Sequence, residues 1–385
     1  MTYRLLLGGY RSTIALITFE ASPSKIKLVS ESPAPKNASW IQPAVSHASK
    51  GDKGAQILYS LSEEEKGFAF GIELKDDKVE VTQQRETNGG PAHGKFGLHQ
   101  LKDGSGVVVA NYLGGSAIFF PTTASGALAA ESQSPNLHFP FPYEGKSKPN
   151  EERQDTPHPH QIVEGENGVL YVPDLGSDRV WLVKRDGDSG LKIEGYLQAP
   201  AGSGPRHAVL SIDGKHLYTL TELGHTVLAW TLDGSAASTH PLPDFEASIA
   251  PPSVPPTHSK YIDSAELALH PKYPNTLFAS NRLELQIFDK QPDLPKLPDY
   301  PPSGDAIAII RLEGSDRKIK DIKHVRTGCN NVRGMTLSPD GKYVALAGQD
   351  GGGVEVWEIS GEDGDQWKLA AKDESIEKVT TLVWV

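Results

Sequence analysis

The sequence predicts an all-β fold: a seven-bladed β-propeller, closed by N- and C-terminal strands that share one blade. Three observations carry this. An apolar strand, a small polar kink and an alternating strand recur seven times, about 50 to 65 residues apart. The 38 glycines and 29 prolines suit many strands joined by tight turns, and no amphipathic helix of any length is visible. The two ends of the chain are complementary pieces of one repeat. Two β-sandwiches would also supply many strands, but they do not predict that complementarity.

The copies run in order as follows. The first is "LLLGGYRSTIALITF" at 5–19, and "ILYSLSEEEKGFAFGI" at 57–72 is a degenerate second. "VVVANYLGGSAIFF" follows at 107–120, "LYVPDLGSDRVWLV" at 170–183 and "LYTLTELGHTVLAW" at 217–230. "LFASNRLELQIF" at 277–288 and "YVALAGQDGGGVEVW" at 343–357 complete the set. Several copies are preceded by a further strand that ends in Asn-Gly or Asp-Gly, as in "PHQIVEGENGVLY", "PRHAVLSIDGKHLY" and "VRGMTLSPDGKYVA". Such dipeptides between apolar runs are strong hairpin signals, so each unit is a small antiparallel sheet. Radial repetition of such sheets protects their edges. The terminal "EKVTTLVWV" reads as the first strand of a unit whose second and third strands are "YRLLLGGYRSTIALITF". Residues 1–385 are therefore expected to form a single propeller domain.

Composition narrows the function. A net charge of −11 argues against a nucleic-acid partner, whose phosphates need a basic surface. No run approaches 18 apolar residues, so no membrane span is expected. The lone cysteine, Cys329, cannot form an intramolecular disulfide, and the N-terminal residues alternate like a strand rather than a leader. A cytoplasmic location is the expectation.

Within a blade the first and second strands are antiparallel, so the start of one and the end of the other share a rim. Counting back eight positions from Gly168, Gly214 and Gly341 gives His160, Arg206 and Arg333. Glu266 lies near the same place in another blade. The second-strand ends carry Asn111, Asp174, Glu222, Asn281 with Arg282, and Gln349. These polar residues are expected to converge on one mouth of the central channel. Arginines offer permanent, bidentate donors for carboxylate or phosphate. Glutamate and histidine can exchange protons near neutral pH. Such a cup suits an anionic substrate whose carbonyl or enolate oxygen gains charge in the transition state.

Other polar residues read differently. Asp178 with Arg179 is taken as a turn-stabilising pair, and His207, His216, His225 and His270 as structural or solvent-facing. His158 and His160 could chelate on an extended segment, yet no third ligand stands at a diagnostic spacing, so no metal is expected. Long proline-rich stretches at 134–157, 238–260 and 289–304 have no repeat pattern. The first two run into first strands and are read as walls or lids of the pocket.

On these residues the sequence resembles the lactonase family of seven-bladed propellers, which includes bacterial-type 6-phosphogluconolactonases and fungal 3-carboxy-cis,cis-muconate lactonizing enzymes. The resemblance runs over the whole chain. Its most specific parts are "ERQDTPHPHQI" with "LYVPDLGSDRVWLV", "GPRHAVLSIDGKHLYTLTEL", "ASNR" and "VRGMTLSPDGKYVALAGQD". It implies an active site on His160, Arg206, Arg282 and Glu222, with Arg153, Gln154 and His158 in the segment before the histidine strand. Arg333 matches the phosphogluconolactonase-like members better than the muconate enzymes. An apparent insertion at 86–106 leaves either His93 or His99 at a further histidine position. The implied activity is hydrolysis of a sugar-acid lactone without metal or organic cofactor. Arg206, Arg282 and Arg333 would hold the anion and the oxyanion, and Glu222 or His160 would serve as general base. The alternatives are cycloisomerisation of a carboxylated muconate and a non-catalytic binding scaffold.

Overall fold

A computed structural model describes residues 1–385 apart from 46–54, 65–66, 88–95, 130–134, 189, 234–238 and 315–316. Seven four-stranded antiparallel sheets form the ring. In chain order the blades are built from residues 2–33 with 379–384, then 38–86, 96–138, 163–198, 205–248, 263–326 and 330–373. The first blade closes the ring as expected. Its inner strand, Val379–Trp384, pairs antiparallel with its second strand, Thr2–Gly9, through Leu5↔Trp384 and Leu7↔Leu382. First strands meet the first strands of neighbouring blades and so line the axis.

The apolar periodicity explains the packing. Along the second strand of the fifth blade, His216–Thr221, Leu217 packs toward the fourth blade, and Tyr218 with Leu220 toward the sixth. The same division gives one apolar cluster between each pair of adjacent blades, seven in all among the described residues. Each fully buried Leu, Ile or Phe contributes about 1.5–3 kcal/mol, so the interfaces rather than the separate sheets hold the ring.

The Asp-Gly hairpins recur in one form. Gly214 and Gly341 have φ of +68° and +67°, a region where a side chain is strained. The serines before them, Ser211 and Ser338, each accept the backbone N–H five residues on.

The sixth blade departs from expectation. Its second strand is Thr276–Arg282, but 284–290 is helical, and the third strand is Ala306–Glu313. Residues 277–288 therefore do not form two consecutive strands. The 289–304 stretch lies between them, on the rim where the second strand ends. Its Leu294, Leu297 and Tyr300 pack on Ile287 and Phe288 and on Val254 and Ile262 of the segment before the blade's inner strand.

Candidate active site

Strand parity decides which rim residues face the channel. In all seven blades a small or polar residue at or near the end of the second strand is followed by a larger one. The first members are Gly9, Ser62, Asn111, Asp174, Thr221, Asn281 and Gly348. Where they carry polar side chains, these bond within the blade and to the chain segment that leads into it. Asn111 donates to Thr87 O and Ser116 Oγ, and Asn281 to Ile249 O and Ala306 O. Asp174 accepts from His158 N, Ser177 N and Trp181 Nε1. The second members are Tyr10, Glu63, Tyr112, Leu175, Glu222, Arg282 and Gln349. Side chains two apart in a strand share a face and neighbours do not, so this second set supplies the polar groups that meet at the mouth.

The inner strands use a different device. Their ladder shifts register at Ala38/Trp40, Pro205/His207, Ser264/Leu267 and Val332/Gly334. Each shift is a β-bulge, which adds an unpaired residue and re-aims side chains. The bulges place Ser39, Arg206, Glu266 and Arg333 around one buried cavity, with Trp40, Glu63, His160, His207 and Thr380. His160 enters it from the fourth blade, its N–H bonded to Pro173 O. Gly97 of the third blade passes so near that a Cβ there would lie 2.4 Å from His160 O.

At the centre stands Glu222, fully buried and bound by three arginines. Its Oε1 accepts from Arg153 Nη2 and Arg282 Nη2, both at 2.5 Å, and its Oε2 from Arg206 Nη1 at 2.7 Å. Asp263 Oδ2 lies 3.6 Å from Arg153 and 3.5 Å from Arg282. Arg206 Nε donates to Ala265 O, and its Nη1 also donates to His160 Nε2. An arginine cannot accept, so that imidazole lone pair is engaged. Tyr112 stacks on His158 and stands edge-on to His160.

Across the mouth, Arg333 Nη1 donates to Tyr10 Oη and Gln349 Oε1, and Nη2 lies 3.6 Å from Glu63. Its buried Nε has no hydrogen-bond partner among the described residues.

Burial and charge set the protonation states. Burial alone would lower the Arg153 pKa, but Glu222, with Tyr112 and Asp263, outweighs it and raises the value. Arg206 is so enclosed that burial lowers its pKa even beside Glu222. Burial, reinforced by Glu222, pushes the Tyr112 phenol up to about 12.

The structure thus brings together His160, Arg206, Glu222, Arg282 and Arg153 in one cluster. Arg333 and Gln349 form a second group, and Glu266 pairs with His207. Asn111, Asp174 and Gln154 are held inside the scaffold, Gln154 donating to Leu175 O. His158 is buried, with ring nitrogens on Tyr112 O and Asp155. His99 binds Glu164, away from Glu222, and His93 lies outside the described residues. Asp178 does not pair with Arg179. It accepts from Tyr143 Oη, Gly202 N and Gly204 N, while Arg179 lies over Tyr196. His225 is buried beside the cluster, and burial lowers its pKa to about 4. Tyr10, Glu63 and Tyr112 were not singled out from the sequence. Aligning the seven strand ends by parity would have found them. Among the described residues no group of three His, Cys, Asp or Glu side chains could hold a metal.

The family model described as "Lactonase, 7-bladed beta-propeller" matches residues 4–384. A protein of Arthroderma benhamiae named probable 6-phosphogluconolactonase is 25% identical over 98% of this chain and 88% of its own length. The 6-phosphogluconolactonase of Formosa agariphila is 26% identical over 92% of this chain and 91% of its own. Among solved structures, a putative 6-phosphogluconolactonase of Bacteroides fragilis superposes with a TM-score of 0.77 at 21% identity, covering 100% of this chain and 98% of that one. The periplasmic gluconolactonase PpgL of Pseudomonas aeruginosa gives 0.76 at 19%, covering 100% and 99%. These two likenesses concern the fold.

Proposed function

We propose, from the premise that this chain belongs to the seven-bladed β-propeller lactonase family, that it hydrolyses a sugar-acid lactone of the 6-phosphogluconolactone type. The observation that carries the reading is the clustering of Arg153, Arg206 and Arg282 on the single buried carboxylate of Glu222. Three guanidiniums face Glu222 and Asp263, which leaves one positive charge for a bound anion. The names of the relatives agree with a phosphorylated lactone.

In this reading Arg153, the most exposed of the three, meets the anionic end of the substrate. Arg282 and Arg206 aim N–H groups at the lactone carbonyl and stabilise its oxygen as the tetrahedral intermediate forms. Glu222 fixes the three guanidiniums before substrate arrives, so little reorganisation remains for the transition state. Arg333, with Gln349 and Tyr10, binds sugar hydroxyls across the mouth. The scheme needs neither metal nor organic cofactor. The proposed location is the cytoplasm, where the lone buried Cys329 needs no oxidising surroundings.

The test is accelerated loss of 6-phosphogluconolactone, followed by acid release, with unphosphorylated gluconolactone and 3-carboxymuconate in parallel. Hydrolysis of the first at a kcat/KM well above the second supports the reading. Turnover of the muconate alone, or acceleration of none, overturns it.

A further inference from the structure

Within the cluster, neither Glu222 nor His160 is free to act as a base. Both carboxylate oxygens already accept from guanidiniums, and three adjacent positive charges oppose protonation. His160 Nε2 accepts from Arg206. A water attacking a lactone must nevertheless lose a proton, so another group has to take it.

One borders the same cavity. His207, next in sequence to Arg206, is 1% exposed and borders the same cavity as His160, Arg206 and Arg333. The bulge at Pro205/His207 places both consecutive residues there. Its Nδ1 lies 3.2 Å from Glu266 Oε2, on the bulge of the next blade. A carboxylate only accepts, so Nδ1 carries the proton and the lone pair is on Nε2. That nitrogen is buried and has no hydrogen-bond partner among the described residues. An unsatisfied buried polar atom costs about 1–3 kcal/mol and calls for an explanation. The rings of Trp40 and His160 stand edge-on to the imidazole and fix its plane. The cavity has room for about one water molecule.

We propose that His207, oriented by Glu266, is the general base of the lactonase reaction and acts on a water held in this cavity. The inference rests on the lactonase reading. Nε2 takes a proton from the water as its oxygen bonds to the lactone carbonyl carbon. The oxyanion forms against Arg206 and Arg282. On collapse the ring C–O bond breaks, and the imidazolium returns the proton to the leaving oxygen. The product is the open hydroxy acid, with atoms and charge balanced. Glu266 is a positioning residue that also stabilises the imidazolium. Arg206 and Glu222 also act on His207, and Arg333, Glu63 and His160 face it across the same cavity. Burial lowers its pKa and Glu266 opposes this, so the ring is neutral, and competent as a base, at neutral pH.

The experiment compares parent, His207→Gln and Glu266→Gln in steady-state hydrolysis of 6-phosphogluconolactone from pH 5 to 8, with thermal melting as the control for folding. The expected result for His207→Gln is a loss in kcat of about 100-fold or more, with KM changed less than about twofold. The acidic limb of the kcat profile should vanish. Glu266→Gln should lose about tenfold and shift that limb. If His207→Gln does not fold, the Glu266→Gln profile decides alone. A folded variant keeping kcat within about threefold of the parent, or an unmoved acidic limb, overturns the assignment while leaving the lactonase reading intact. An inactive parent overturns both.

Discussion

Replacing Glu222 by glutamine keeps the volume and removes the charge on which Arg153, Arg206 and Arg282 converge. Arg206 and Arg282 are 1% and 5% exposed, so water cannot take over. The new amide also turns two N–H donors toward guanidiniums that only donate. Removing one partner of a buried charge network costs about 3–5 kcal/mol. Unfolding entropy of about 2.1 cal/mol/K per residue gives about 0.8 kcal/mol/K for a chain of this length. Glu222→Gln should therefore melt about 5 °C below the parent by differential scanning fluorimetry, and lose lactone hydrolysis. The exposed positive charge gives a second readout. Inorganic phosphate should raise the variant's Tm by more than the parent's, because an anion binding only the folded form stabilises it. A Tm within about 1 °C of the parent, together with equal phosphate responses, would refute the account of Glu222 as the anchor of the arginines.

Three further outcomes follow from the same geometry. Arg153→Ala removes the most exposed guanidinium and should lower kcat/KM for the phosphorylated lactone about tenfold, while gluconolactone turnover changes little. Asp174→Ala leaves three buried donors unpaired and should destabilise by about 3 kcal/mol or more in urea melts, with KM of the folded enzyme unchanged; a large KM rise would return Asp174 to the binding site. Burial, helped by Glu284, raises the Asp305 pKa from 3.8 to about 7. The folded state then holds this proton between those values and the unfolded chain does not, so its contribution to stability declines as pH rises from about 4 to about 7. Asp305→Asn should flatten the fall in Tm across that window, and parallel Tm curves would count against it.

The repeat period made the ring and its closure legible, because interblade packing imposes the same apolar pattern on every unit. The site was legible where two constraints coincided. Arg206 and Arg333 stood out by register, and Glu222 and Arg282 by following apolar runs. Parity separates these from Asn111 and Asp174, which stand one position earlier on the equivalent strands of other blades. Their polarity serves the backbone, and polarity alone does not tell the two uses apart. His207 passed for a scaffold histidine because adjacent strand residues ordinarily face opposite ways. Only the bulge at Pro205/His207 turns both Arg206 and His207 into one cavity. The third strand of the sixth blade was misplaced because "LELQIF" is apolar enough for a strand, while the true one follows the proline-rich stretch.

The bulges have a consequence for how such a protein changes over generations. A bulged residue stands outside the pairing ladder, and its side chain belongs to none of the apolar clusters between blades. Substitution at Ser39, Arg206, Glu266 or Arg333 can therefore alter the chemistry of the mouth while the neighbouring strands keep their partners. The ring behaves as a rack of interchangeable fittings. A new specificity requires editing a few positions, each on a separate blade, rather than rebuilding a core.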